Sequence, residues 1–258
     1  PWRETRDPYR IWVSEIMLQQ TRVEAVRGYY ARFLAALPNI ESLASCEDDA
    51  LHKLWEGLGY YSRVRNLKKA AQIIMADHGG LFPRDYASVR ALPGIGDYTA
   101  GAVCSIAFGQ PRAAVDGNVL RVLARLRADD TPIDLPALKK RVQTELEAIY
   151  PHDCPGEFTQ ALMELGATVC IPGGEPKCGI CPCREFCEGK LRWQELPVKL
   201  PKKAKKQEDR TVFLLRCADQ WAIEKRENRG LLAGLWQFPN ISGHLTAEEA
   251  VAWAEVQG

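Results

Sequence analysis

Four cysteines in the spacing C-x7-C-x2-C-x5-C (Cys170, Cys178, Cys181 and Cys187) restrict this chain more than any other feature. Three thiolates within ten residues, with a fourth just upstream, can close a compact loop around one metal centre. Five of the nine cysteines lie between Cys170 and Cys187, and nothing at the start of the chain reads as a secretory signal. Disulfides are rare outside oxidising compartments, so the cluster reads as a metal site. Two occupants suit four thiolates: an iron–sulfur cluster and a tetrahedral zinc ion. Zinc ribbons usually carry two separated C-x2-C pairs, whereas this loop has one. Cys183 fits the spacing less well, and Cys46, Cys104, Cys154 and Cys217 read as small core or surface residues.

Residues 1–190 show helical periodicity with no alternating strand pattern, which predicts an all-α body. Asp7-Pro8 supplies an N-cap and a first-turn proline for a helix reaching about Gln20. Val64, Leu67, Ala71, Ile74 and Met75 recur at helical spacing, and Gly79-Gly80 ends that helix. Asp134-Leu135-Pro136 opens another, and Gly156 to Cys170 forms one that stops at the cysteine loop. Leu196 to Gln207 carries two prolines and a lysine run, Lys199 to Lys206, and reads as a connector. Thr211–Cys217 and Trp221–Arg226 then predict two strands of a hairpin, opening an α/β domain.

Between two helices stands Leu92-Pro93-Gly94-Ile95-Gly96-Asp97-Tyr98-Thr99-Ala100. Glycines one residue apart permit a tight reversal with left-handed dihedrals, leaving backbone N–H groups exposed at the next helix start. Such a turn binds phosphate without side-chain charge. That matters here, because the formal net charge is only +1. Arg63, Arg65, Lys68 and Lys69 crowd one segment and Arg121, Arg125 and Arg127 another. Each group reads as a solvated face or as a phosphate contact.

Two carboxylates differ in setting. Glu15 has Ile11 and Leu18 as helical neighbours, an apolar strip on which desolvation raises a carboxyl pKa and keeps a proton available. The same residue also reads as an ordinary surface or ion-paired glutamate. Asp116 opens Gly117-Asn118-Val119-Leu120-Arg121, where free N–H groups and the helix dipole favour its charged form; it also reads as a plain N-cap. Two carboxyls with separated proton affinities are what glycosidic cleavage needs.

The string L-P-G-I-G-x-x-T-A resembles the helix-hairpin-helix motif of DNA glycosylases, and the cysteine loop after it resembles that of the endonuclease III superfamily. That family usually has six residues between the first two cysteines, where this chain has seven. Trp12-Val13-Ser14-Glu15-Ile16-Met17-Leu18-Gln19-Gln20-Thr21, Gly57-Leu58-Gly59-Tyr60-Tyr61, Val115-Asp116-Gly117-Asn118-Val119 and Phe158-Thr159-Gln160-Ala161-Leu162-Met163 resemble adenine DNA glycosylases of the MutY type. The connector and Trp221 to Pro239 resemble the start of that family's MutT-like (Nudix-like) domain.

The resemblance implies a helix-hairpin-helix glycosylase fold in two helical lobes with a cleft between them. A six-helix lobe covers about 16–120, and a cluster lobe joins 1–15 to 121–190. The connector is 191–209, and 210–258 is a partial MutT-like domain. It implies a 4Fe-4S cluster on Cys170, Cys178, Cys181 and Cys187. It implies a monofunctional enzyme that flips and hydrolyses adenine opposite 8-oxoguanine or guanine. Glu15 is then the general acid and base, and Asp116 stabilises the sugar cation, supported by Asn118 and Tyr98. Trp2, Arg3 and Gln160 line the adenine pocket, while Gln20, Thr21, Leu58 and Tyr60 meet the duplex. Gly94, Gly96 and Thr99 hold its backbone. Lyase members carry lysine where Tyr98 stands, and a phenol forms no Schiff base.

The expected partner is double-stranded DNA, bound by a monomer in the cytoplasm, at a bacterial nucleoid. No apolar run approaches the roughly 20 residues of a membrane span. The start without Met and the early stop in the second domain lead us to expect a truncated chain. Two rivals remain: an endonuclease III-like glycosylase/lyase for oxidised pyrimidines, and a non-catalytic helix-hairpin-helix DNA-binding module.

Overall fold

In the computed structural model, residues 2–201, 204, 207–227, 229–230 and 232–257 are described. The chain forms two compact units, Pro1–Leu200 and Pro201–Gly258. Lys202, Lys203, Lys205 and Lys206 of the basic run lie outside the described residues, as do Asn228 and Leu231 of the stretch likened to a MutT domain. Among the described residues no helix is long and apolar enough to cross a membrane.

The first unit is built of α1 (Pro8–Leu18), α2 (Val23–Ala36), α3 (Ile40–Ser45), α4 (Asp48–Trp55), α5 (Ser62–Asp77), α6 (Tyr86–Ala91), α7 (Asp97–Phe108), α8 (Gly117–Leu126), α9 (Pro136–Ile149) and α10 (Pro155–Glu164). Local chemistry sets several of their ends. The Asp7 carboxylate accepts from the Tyr9 and Arg10 amides at 2.9 and 3.4 Å, so α1 starts at Pro8 as its sequence dictates. Gly79 and Gly80 take φ of +60° and +79°, and the Gly80 amide donates to Ile74 O at 3.0 Å, closing α5. Met75, placed on the apolar face by its spacing, is instead exposed.

In the turn before α7 only Gly94 is left-handed, at φ +77°, while Gly96 is an extended N-cap at φ −97°. A Cβ on Gly94 would lie 2.7 Å from Asn66 Cβ, so close approach as well as φ requires glycine there.

The helix expected from Gly156 to Cys170 is not continuous. After α10 the chain widens into a π-turn, Leu165–Val169, and the Cys170 amide donates to Leu165 O at 2.7 Å. The cause is non-local: Arg121 Nη2 takes Gly166 O at 2.7 Å and its Nε takes Cys170 O at 2.9 Å.

Two apolar clusters hold the unit. One gathers Trp2, Tyr9, Trp12, Phe33, Trp55, Val103 and others from α1 to α7, with Met163 from α10. The second joins Val119, Leu123, Leu138, Val142, Leu146 and Tyr150 from α8 and α9. Trp2, Tyr9, Ile11, Trp12 and Val13, from the segment expected with the cysteine lobe, pack in the first cluster. Trp12 seats α1 there, edge-on to Phe82 at 5.5 Å and to Tyr9 at 6.4 Å.

The second unit pairs β1 (Arg210–Val212) with β6 (Asn240–Ser242), β2 (Arg216–Cys217) with β3 (Gln220–Trp221), and β4 (Glu224–Lys225) with β5 (Trp236–Gln237), all antiparallel. Phe213 stacks on Trp253 of α11 (Ala247–Gln257) at 3.8 Å. The two strands expected over 211–217 and 221–226 are thus each broken in two. The first segment of the first, β1, pairs with β6, only β2 and β3 pair as the expected hairpin, and Leu214, Trp221 and Ile223 stay exposed.

Candidate active site

Glu15 sits on the inner side of α1 and is 2% exposed. Tyr98, on the second residue of α7, donates its hydroxyl to Glu15 Oε2 at 2.6 Å. Arg3 Nη1 stands 3.9 Å from Oε1. Burial raises the Glu15 pKa above the ordinary carboxylate value; the Tyr98 bond and Arg3 pull it down, and the Asp116 charge pushes it up again. Burial also carries the Tyr98 phenol well above its usual range, reinforced by the Glu15 charge. The phenol therefore remains a hydrogen-bond donor. The charge of Asp116, about a hundred residues on in the sequence, is the weakest of these four influences on Glu15.

Asp116 caps α8. Its Oδ1 accepts from the Val119 amide and its Oδ2 from Asn118 Nδ2, both at 2.8 Å. Asn118 Oδ1 in turn accepts from Arg121 Nη2 at 2.8 Å, and Arg121 also holds the carbonyls of Gly166 and Cys170. One helical turn further, Arg125 donates to Cys170 Sγ at 3.4 Å and to the carbonyls of Ile171, Trp193 and Leu196. A continuous hydrogen-bonded path thus runs from Asp116 to the first cysteine of the loop.

Cys170, Cys178, Cys181 and Cys187 line a single cavity together with the cationic Arg125, Arg184 and Lys190; Cys183 is not part of its wall. The cavity is small, about 30 Å³. Among the described residues no three His, Cys, Asp or Glu side chains are grouped so as to hold one metal ion. Cys170, Cys178, Cys181 and Cys187 share this wall, so they are the residues that could hold a metal centre.

The other expected residues divide into two sets. Tyr60 is 64% exposed at φ +47°, and Gln20 is exposed at φ +58°. Left-handed backbone costs a non-glycine residue about 1 kcal/mol, and such strain collects where side chains are displayed for use. Thr21, half-buried, bonds only within its own turn, its hydroxyl to Gln19 O at 3.3 Å. Gln160 is half-buried, and Trp2 is buried edge-on against Tyr30 at 5.5 Å. Arg3 links Glu164 to the Glu15 site, with Nη2 3.1 Å from Glu164 Oε1.

Leu58 and Thr99 are both buried. Leu58 is 6% exposed and belongs to the core, because the turn after α4 directs its apolar side chain inward. Thr99 is 1% exposed, and its hydroxyl accepts from Gln19 Nε2 at 3.4 Å.

Sequence reading missed three arginines. Arg121 and Arg125 read as a solvated or phosphate-binding face, yet both are buried. Their spacing from Asn118, at i+3 and i+7, places all three on one side of α8 and was the available signal. Arg63 is also bound to backbone rather than solvated, donating to five carbonyls. Lys68 and Arg127 from the same basic segments pair with Asp48 and Glu145.

Residues 13–152 match the family described as HhH-GPD superfamily base excision DNA repair protein. The chain belongs to this superfamily. Membership makes it a DNA glycosylase of base excision repair, with an endonuclease III-like fold. It is 36% identical to a protein of Buchnera aphidicola subsp. Baizongia pistaciae named adenine DNA glycosylase, over 99% of this chain and 72% of the relative. A solved thermostable thymine-DNA glycosylase matches with TM-score 0.68 at 32% identity, covering 74% of this chain and 88% of that one. A non-covalent endonuclease III–DNA complex matches with TM-score 0.63 at 25% identity, covering 74% and 87%.

Proposed function

We propose that this glycosylase removes adenine mispaired with 8-oxoguanine or guanine, by hydrolysis and without cutting the strand. The observation that carries the reading is the buried carboxyl of Glu15, whose pKa burial raises, bonded to Tyr98 at 2.6 Å. A purine leaves its sugar readily only when protonated, and a buried acid keeps that proton near neutral pH. Glu15 gives its proton to adenine N7. The C1′–N9 bond breaks with its electron pair going to the base, and the developing sugar cation faces the Asp116 carboxylate. Water adds to C1′ and returns a proton to Glu15, leaving free adenine and an abasic sugar. Tyr60 and Gln20, strained and exposed, enter the duplex in place of the extruded base, and stacking on Tyr60 offsets part of the unstacking cost.

The relative named for adenine, aligned along nearly the whole chain, favours this base over the thymine of the structural neighbour's title. Tyr98 favours hydrolysis over an endonuclease III-like lyase, since that route needs an amine. A DNA-binding module without chemistry has no use for a desolvated carboxyl. Cys170, Cys178, Cys181 and Cys187 are the residues to hold a 4Fe-4S cluster, which when bound ties the 170–187 loop together. The purified protein is then brown.

Single-turnover excision on duplexes with adenine opposite 8-oxoguanine, guanine and thymine tests the reading. Release is expected from the first two and not from the third, with no borohydride-trapped covalent complex. Failure to release adenine from any duplex at saturating enzyme overturns it.

A further inference from the structure

Arg63 lies in the first turn of α5, and its guanidinium reaches into two other segments. Nη1 is 2.9 Å from Ile16 O, 3.1 Å from Met17 O and 2.7 Å from Gln19 O, contacts its two hydrogens share. Nη2 is 2.9 Å from Leu58 O and 3.1 Å from Gly59 O. Ile16 and Met17 are in the last turn of α1, whose terminal carbonyls have no partner within the helix and carry its negative end. That turn contains no basic residue of its own. Arg63 therefore caps α1 from outside. The same guanidinium stands 5.3 Å from the Trp55 ring and 5.6 Å from the Tyr60 ring. Trp55 Nε1 adds a 3.0 Å bond to Gly59 O, fastening the loop from a second side. The two exposed residues with left-handed backbone in this part of the fold, Gln20 and Tyr60, directly follow the two segments that Arg63 grips.

We propose that Arg63 is a positioning residue that fastens the Tyr60 loop and the exit of α1 into one body. What Tyr60 and Gln20 meet on DNA is thereby held in register with the helix carrying Glu15. This inference rests on the adenine-excision reading for its kinetic consequence, though not for the mechanical link. Planarity matters: a guanidinium spans both carbonyl sets with fixed N–H directions, whereas an ammonium is a single point charge. Arg63→Lys should therefore not substitute for it.

Two measurements on the cluster-loaded full chain test the proposal. Amide hydrogen exchange compares Arg63→Ala and Arg63→Lys with wild type, with cluster absorbance and far-ultraviolet helix signal confirming the fold. Protection is expected to fall tenfold or more in residues 57–60 and 18–21 together, while α8 and α9 are unchanged. Loosening of one segment alone, or of neither, overturns the proposal. Single-turnover rates opposite 8-oxoguanine supply a cycle of Arg63→Ala with Gln20→Ala. Each single change is expected to slow excision about tenfold and the pair to be little worse than either, since both break one link. Strictly multiplicative losses, as a general loss of packing would give, also overturn it. A wild-type chain that releases no adenine sinks the functional reading instead, and the exchange experiment still decides the fastening.

Discussion

Tyr98 and Glu15 come from α7 and α1 and meet through one 2.6 Å hydrogen bond, hydroxyl to carboxylate Oε2. This pair sets how the site holds its proton. Burial makes the charged carboxylate costly, and the phenol is the principal group that makes it tolerable.

Glu15→Gln is expected to lower single-turnover excision by at least two powers of ten while leaving duplex binding within a few-fold, since a positioned acid contributes about that much. Stability should move the other way. The folded pKa of Glu15 is raised, so the native state binds this proton more tightly than the unfolded chain. Its stabilisation is full below the unfolded value and is lost as pH climbs through the folded one. Each pH unit of that elevation is worth about 1.4 kcal/mol. The variant should unfold at a higher temperature than wild type near pH 7.5, with the gap closing toward pH 4. A gap that widens on acidification contradicts the assignment.

Tyr98→Phe separates the phenol from the acid. Losing the bond removes an interaction that lowers the Glu15 pKa, so the proton is held to higher pH. The alkaline fall in excision rate should shift upward, although the plateau rate drops because the acid is less firmly placed. A rate–pH profile opposite 8-oxoguanine reads both effects. An alkaline limb that stays put, or moves down, counts against the phenol having this role.

Helix ends were legible in the sequence because their causes are local: Asp7-Pro8 at the start of α1 and Gly79-Gly80 after α5 act within one turn. Glu15, Asp116 and Tyr98 were legible because an apolar strip, an N-cap position and a hairpin string mark them. The arginines were not. A charged residue reads as solvated unless something says otherwise, and the carbonyls that bury Arg63 and Arg121 come from segments some 45 residues away. The π-turn before Cys170 was hidden for the same reason, because Arg121 imposes it. The burial of Leu58 and Thr99 was not legible, because a motif match gives position along the chain and not the direction a side chain takes.

Arg121→Gln tests the path from Asp116 to Cys170. The arginine holds Asn118 Oδ1, Gly166 O and Cys170 O, and a glutamine cannot reach all three. A buried acceptor left without a partner costs about 1–3 kcal/mol. Loss of at least about 3 kcal/mol is expected, or roughly 6 °C or more in Tm for a unit of this size. Excision should fall with it, because Asn118 is released, and the 170–187 loop should become accessible to thiol reagents. Full excision with a native Tm would show that the path carries no load.

Gly166→Ala reaches Asn118 without removing any hydrogen-bonding group. A Cβ at residue 166 would stand 2.6 Å from Asn118 Cβ and 3.2 Å from its Cα, closer than packed atoms come. Neither partner yields easily: Asn118 is in the first turn of α8, and the Gly166 carbonyl is pinned by Arg121 at 2.7 Å. The clash therefore passes to the Asn118 side chain and through its 2.8 Å bond to Asp116 Oδ2. A loss of about 1–3 kcal/mol in stability is expected from overpacking alone. Excision should fall tenfold or more even at temperatures where the variant is fully folded, and Asn118→Ala, which keeps the clashing Cβ and Cα, should not restore the stability that Gly166→Ala loses. If Gly166→Ala excises at the wild-type rate, the placement of Asn118 against Asp116 does not limit the chemistry.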